Sequence, residues 1–390
     1  MRIVFDCRYT RFDRHDGISR YTAGLVTELG KLHPVTMLIS DHRQLDLLPD
    51  LPWQLVSAPT SIREPFIARQ INQLRPDVVF SPMQTMGSWG RRYRLLLTVH
   101  DLIYYRNRTP PRDLPAPLRI TWRLYHLSWW PQRMLLNRAD GVVTVSETTR
   151  RLILDNRLTR RPVTVIHNAP DTLSAPTLSA PALSASPAGR PAAETGRLVY
   201  MGSFMPYKNV DTLVRAAAEL PGHELHLMSR VSDQERERLS ALAPQATLVF
   251  HNGVTDEEYV RVLRSATALV TASLDEGFGI PLVEAMSLGI PVVVSDIPIF
   301  REIGGDAALY FDPTSTDALV AAVRRLGAGE WAAHSAAAVD EAERFTWRDS
   351  ARRLLELLTE TKPETKPETK PEPETRRDAG IGAEEPVQPV

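Results

Sequence analysis

The chain has a single cysteine, Cys7, in 390 residues. No internal disulfide and no thiolate metal cage can form, and a reducing interior is the expected home. No apolar run reaches the roughly 18 residues that a membrane-spanning helix needs. The opening Met-Arg-Ile-Val-Phe-Asp is not the pattern of a secretory leader. These absences exclude fibrous, disulfide-scaffolded secreted and integral membrane classes. What remains is a chain that is 43 % hydrophobic. It is too long for one ordinary domain and fits two of roughly 150 residues each, with a core that needs no staples.

The net charge of −1 hides an asymmetry. Residues 1–170 hold 25 Lys+Arg against 14 Asp+Glu, and the rest hold 21 against 33. A basic half suits an anionic substrate, an anionic membrane or nucleic acid, while attraction between two lobes of opposite sign is the plainer reading. Only Lys31 among the 25 is a lysine, which fits a compositional bias towards arginine. No nucleic-acid recognition module accompanies the arginines, so nucleic acid is not an expected partner.

Short apolar runs of strand type alternate with helical periodicity: residues 2–6, 35–40, 77–81, 94–101, 141–146 and 162–168 against 18–29, 61–74, 118–136 and 147–157. That alternation predicts a parallel sheet covered on both faces. A Leu-Ser-Ala-Pro repeat then interrupts it and reads as a flexible linker, 171–196. A second series follows, with strands at 197–202, 224–229, 246–250, 268–273, 291–296 and 307–311. An amphipathic helix is expected at 341–358. The Thr-Lys-Pro-Glu repeats beyond it cannot form a core, so 360–390 is expected to be disordered. The predicted layout is an α/β chain of two Rossmann-like lobes, 1–170 and 197–340, facing a central cleft.

Three strand-loop-helix junctions stand at the carboxyl edges of these sheets, where α/β proteins bind ligands. At the first, Gly17 precedes a helix; it either admits a phosphate to the helix start or only makes the turn. It is not part of a Gly-x-Gly-x-x-Gly fingerprint, which argues against a nicotinamide enzyme. The second is Gly202 to Asn209, where Lys208 opposes the dipole of the helix that follows. Either a bound phosphate or plain solvation explains it. The third, Asp275-Glu-Gly-Phe-Gly-Ile-Pro-Leu-Val-Glu284, is the strongest signal. Glu276 lies in the glycine loop, and Glu284 falls about one and a half turns into an apolar helix. A carboxylate there can accept hydrogen bonds from both hydroxyls of a ribose diol.

These three sites occur in order with Val99-His100-Asp101, Val145-Ser146-Glu147 and His167-Asn168-Ala-Pro-Asp171. Together they resemble the retaining nucleotide-sugar transferases of glycosyltransferase family 4, which have the GT-B fold. Gly17-Ile-Ser-Arg-Tyr21 is similar to the Gly-Ile-Gly-Arg-Tyr of the mannosyltransferase-like branch. The resemblance covers residues 1–358 apart from the linker. It implies that 1–170 is the acceptor-side lobe and 197–340 the donor-binding lobe. Glu284 would then bind the nucleotide ribose, and Glu276 would face the hexose with the backbone of Gly277, Phe278 and Gly279. Lys208 would neutralise the departing diphosphate, His100 would lie beside the donor sugar, and Gly17 near the phosphates. Three departures stand out: Ser203 and Tyr207 where the family often has arginine, and His167-Asn168-Ala169 in place of the usual Pro-Asn-Gly.

The expected activity is metal-independent transfer of a hexose, mannose from GDP-mannose, to a glycan or lipid-linked saccharide. No cofactor beyond this nucleotide-sugar donor is expected. The alternatives are a UDP-sugar-dependent transferase of glucosyl type, a catalytically silent interaction protein of the same fold and a sugar-nucleotide epimerase. A cytoplasmic setting is expected, with peripheral contact to the inner face of the membrane through the aromatic and basic stretch 118–138.

Overall fold

The computed structural model describes residues 1–109, 116–170 and 196–360. The first lobe holds β1 (Ile3–Asp6), α1 (Gly17–Leu32), β2 (Val35–Ile39), β3 (Trp53–Leu55), α2 (Ile67–Ile71), β4 (Val78–Ser81) and β5 (Arg94–Val99). It continues through α3 (Ile103–Arg106), α4 (Ala116–Tyr125), α5 (Trp130–Arg138), β6 (Gly141–Thr144), α6 (Glu147–Asp155) and β7 (Val163–Val165). Its seven strands are all parallel, in the order β3-β2-β1-β4-β5-β6-β7. Central strands such as Val78–Ser81 are buried along their whole length, as a sheet covered on both faces requires. Ile3 and Phe5 face α1, while Val4 and Val79 face α2.

The second lobe runs β8 (Arg197–Tyr200), α7 (Val210–Ala218), β9 (Glu224–Leu227), α8 (Asp233–Leu242), β10 (Thr247–Phe250), α9 (Asp256–Arg264) and β11 (Ala268–Thr271). After these come α10 (Ile280–Ser287), β12 (Val292–Ser295), α11 (Pro298–Gly304), β13 (Leu309–Phe311), α12 (Thr316–Arg325), α13 (Trp331–Ala342) and α14 (Trp347–Thr359). Its six parallel strands follow the order β10-β9-β8-β11-β12-β13. In both sheets the order reverses beside the first strand of the lobe, which opens a crevice at the carboxyl ends.

Three expectations need correction. The helix expected at 341–358 is the end of α13 followed by a new helix. Thr346 restarts it by accepting from Asp349 N at 3.1 Å. The stretch 118–136 divides into α4 and α5, and 61–74 holds only short helical turns around α2. The edge strand β3, three exposed residues, escaped the sequence reading because it has no buried face to pattern. Of the linker expected at 171–196 and the tail expected at 360–390, all but Gly196 and Glu360 lie outside the described residues.

α14 returns to the first lobe. Gly24 on α1 lies so close to the Trp347 ring that an added Cβ would come within 2.4 Å of it. Ser350 Oγ donates to His167 O at 2.9 Å, and the Arg94 guanidinium donates to Leu358 O at 3.1 Å and Glu360 O at 2.6 Å. One apolar core therefore runs from α1 through α14 to α10 of the second lobe.

Candidate active site

Two loops of the second lobe meet at its crevice. One leaves β8 and enters α7 through Lys208; the other leaves β11 and enters α10 through Glu276 and Gly279. Leu274 N donates to Tyr207 O at 2.7 Å and ties them together. Neither α7 nor α10 has a side-chain cap: Asn209 (φ 51°) and Gly279 (φ 96°) precede them in left-handed conformations. By contrast Ser232, Thr255 and Ser315 cap α8, α9 and α12. Uncapped N–H groups and the positive end of the helix dipole favour an anion at both loops. Lys208 Nζ donates to Glu276 Oε1, and Ser273 Oγ donates to the same oxygen at 3.2 Å. Both charged side chains keep partial access to solvent.

Glu284, one turn into α10, is only 3 % exposed. Arg20 of α1 lies 3.6 Å from its carboxylate and also pairs with Asp256 at the head of α9. Tyr259 of α9 faces the same carboxylate. Burial, with Glu284 beside it, pushes that phenol far above the ordinary tyrosine range. A buried carboxylate on an apolar helix is costly unless paired, and here its partners come from both lobes.

The first lobe closes over these groups. An added Cβ at Gly277 would stand 2.7 Å from His100 O and 2.8 Å from Asp101 Cβ, so only glycine permits this approach. Ser146 Oγ donates to Gly277 O at 3.0 Å. Glu302 of α11 accepts from Glu147 N (2.6 Å) and Thr148 N (2.7 Å), capping α6 from the opposite lobe. Asp275 accepts from Arg106 and, at 3.2 Å, from Asn107. Burial raises its carboxyl to about 6 although Arg106 pulls the other way. His100 donates from Nε2 to Pro82 O at 2.7 Å, since a carbonyl can only accept. Burial lowers its pKa, so the ring is neutral near pH 7 with Nδ1 as its acceptor.

Between the lobes lies a cleft of about 1080 Å³. Gly17, His100, Lys208, Glu276, Gly277, Phe278, Gly279 and Glu284 all line it, so the residues singled out from sequence share one site. The Phe278 ring turns away into a cluster with His167 and Phe345, at centroid distances of 6.2 and 5.6 Å, and leaves its backbone at the cleft. Gly17 is not sterically demanded by the protein: an added Cβ would meet Ile280 at an ordinary 3.6 Å. Arg14, Arg20 and Arg230 also line the cleft, which bears on the arginines missing at Ser203 and Tyr207. The sequence reading missed Arg230, Tyr259 and Glu302. Arg230 follows a strand at a carboxyl edge and was open to the same argument as Lys208. Glu302 is 154 residues from the backbone that it caps, a distance that leaves no local signal.

Two family models divide the chain between them: "Glycosyltransferase Family 4" matches residues 15–172 and "Glycosyl transferases group 1" matches 187–344. The O-antigen chain mannosyltransferase RfbU of Salmonella typhimurium is 24 % identical over 324 residues, 80 % of this chain and 87 % of that one. The O-antigen chain mannosyltransferase B of Escherichia coli is 31 % identical over 164 residues, 40 % of this chain and 43 % of its own length. Among solved structures, Anabaena HepE in complex with UDP and glucose superposes with a TM-score of 0.65 at 17 % identity, over 93 % of this chain and all of HepE.

Proposed function

The chain belongs to the family 4 glycosyltransferases with the GT-B fold, and from that premise we propose that it transfers mannose from GDP-mannose to a glycan or lipid-linked saccharide with retention at the anomeric carbon. The observation that carries this reading is one cleft lined by buried Glu284, by the Lys208–Glu276 pair and by two uncapped helix starts. Glu284 accepts from the ribose hydroxyls. The diphosphate takes its place at the heads of α7 and α10 beside Lys208. Glu276 and the Gly277–Gly279 backbone face the hexose, and neutral His100 offers Nδ1 as an acceptor to a sugar hydroxyl.

In the reaction the bond from the anomeric carbon to the diphosphate oxygen breaks, and a bond to the acceptor oxygen forms on the same face. The acceptor's proton passes to the departing phosphate. Charge that develops on the diphosphate meets Lys208 and the helix N-termini, which are fixed before the reaction begins. No metal and no covalent intermediate enter this reading. A cytoplasmic setting suits the unpaired, buried Cys7 thiol.

Mannose is favoured by the RfbU likeness, which spans most of both chains. The second reading, a UDP-sugar donor of glucosyl type, draws on the UDP and glucose held by HepE. Incubation with GDP-mannose and, separately, UDP-glucose distinguishes them when products and anomeric configuration are followed by NMR. The proposal expects turnover of GDP-mannose with retention. Turnover of UDP-glucose alone transfers the role to the second reading, and turnover of neither contradicts both.

A further inference from the structure

Large apolar side chains that stay exposed are unevenly shared. Among the described residues there are fifteen, and all but Leu274 belong to the first lobe. One group comprises Ile62 (94 % exposed), Phe66 and Trp89 (64 %). The Phe66 and Trp89 rings lie 5.6 Å apart. Their two segments are locked together at Gly87, which leaves no room for a Cβ against Glu64 O and donates from its N–H to Glu64 Oε1 at 3.2 Å. A second group lies on α4, α5 and their connection: Ile120, Leu124 (62 %), Leu127 and Trp130 (64 %).

The two groups share one face. Gln132 of α5 donates to Gln84 at 2.8 Å, and Arg91 donates to Arg138 O at 2.9 Å and to Asp140 at 2.5 Å. α2 and the end of α5 cover the same side of the sheet, over Val79, Leu95 and Leu97. The aromatic stretch expected to meet a membrane is thus divided. Trp129 stacks on Tyr105 at 3.9 Å and Trp122 packs edge-on to Tyr104 at 5.1 Å, so these rings are engaged within the lobe. The outward side is carried by the aliphatic residues and Trp130.

The charge of this face is predominantly positive, since its acids Glu64 and Asp140 are paired with Arg8 and Arg91. Residues 116–138 contain Arg119, Arg123, Arg133 and Arg138 with no Asp or Glu, and Arg92 adds an exposed arginine near Trp89, whereas Arg91 is paired with Asp140 and Arg94 turns to α14. A second copy docked here would set arginines against arginines. An anionic lipid surface satisfies both features, because apolar side chains enter the headgroup boundary while arginines pair with phosphates.

We propose that this face of the first lobe docks on an anionic phospholipid bilayer. Its place beside the cleft gives the docking a purpose under the transferase reading, on which that part rests. α3 supplies Tyr104 and Tyr105 to the helix layer, Ile103 to the cleft wall and Arg106 to Asp275. A lipid-linked acceptor held in that bilayer would present its saccharide to the first-lobe side of the cleft.

The test is co-sedimentation of the full chain with vesicles, without donor. The chain should bind vesicles of equal phosphatidylglycerol and phosphatidylcholine, bind phosphatidylcholine alone weakly, and be released by salt. The variant combining Ile62→Ser, Trp89→Ser, Leu124→Ser and Trp130→Ser changes only exposed side chains. It should lose about tenfold or more of the vesicle partition and keep its melting temperature and nucleotide affinity. No binding by the unmodified chain, or equal binding by the variant, overturns the proposal. So does a dimer in sedimentation velocity that the variant dissociates, since it would assign the face to a second copy. Nucleotide affinity is read separately, so failure of the transferase reading and failure of the docking face are distinguishable.

Discussion

Where strand order reverses in the first sheet, between β1 and β4, Asp6 accepts from Arg8 at 2.8 Å and from Ser81 at 3.1 Å, and Arg8 reaches on to Glu64 at 2.6 Å. At the matching reversal in the second sheet, between β8 and β11, Lys208 and Glu276 face a cleft. The first set satisfies itself: Asp6, Arg8 and Ser81 are buried, their lone pairs and protons already used. The second set retains access to solvent and stands before helix starts that lack caps. Asp16, in contrast, caps α1 in the first lobe by accepting from Ser19 N at 2.9 Å. A shared topology supplies a crevice in both lobes. Whether it becomes a site depends on whether the charged groups at its edge are buried and fully satisfied, or, like the Lys208–Glu276 pair, keep access to solvent beside uncapped helix starts.

Four substitutions test this division, from the largest expected effect to the smallest. Trp347→Ala removes the ring that fastens α14 to α1, and urea unfolding should show a loss of about 3–5 kcal/mol. Because Trp347 is remote from Glu284 in role, the protein that remains folded should bind nucleotide as before. An unchanged unfolding curve would detach α14 from the first lobe's core.

Gly277→Ala places a methyl against His100 O and Asp101 and forces the lobes apart. A displacement of this order at a reacting centre costs about 100-fold in kcat/KM. Full activity would show that closure as seen here is not the working state. Lys208→Ala removes one charge-assisted contact, worth about 1.5–3 kcal/mol. It should lower kcat/KM roughly 10- to 150-fold, and an effect below about threefold would take Lys208 off the reaction path.

The smallest effect is a matter of pH. Asp275 titrates at about 6 in the folded chain against an ordinary 3.8, because burial outweighs Arg106. Between those values the native state holds a proton that the unfolded chain has released. Stability relative to Asp275→Asn should therefore be greatest below 3.8, fall as pH rises and level off above about 6. Parallel melting curves check this, and two curves of constant separation would contradict the burial argument.

The second crevice was legible in the sequence because its chemistry is local. The Asp275–Glu284 loop sets a glycine turn, an apolar helix and an unexplained carboxylate within ten residues, and each constrains the others. The strand and helix alternation was legible for the same reason, since a buried parallel strand needs a short apolar run. Contacts between the lobes were not. Arg106–Asp275 and Glu302–Thr148 join segments 169 and 154 residues apart, and nothing local in the sequence marks either residue's distant partner. The filled crevice at Asp6, Arg8 and Glu64 was silent too, because a self-satisfied triad has no periodicity. The exposed face around Ile62 and Trp89 escaped for a related reason: those residues stand singly in sequence and meet only through the Gly87 approach.

The central claim is that the open crevice of the second lobe binds a nucleoside diphosphate through Glu284. Calorimetric titration with GDP and UDP in parallel, on the unmodified chain and on Glu284→Ala, tests it most directly. The account predicts that GDP binds and that the substitution weakens it by about 100-fold or more, the loss of two charge-assisted hydrogen bonds. Binding of UDP instead would exchange the base and keep the site. Binding of neither nucleotide, or equal binding by the Glu284→Ala chain, would contradict it.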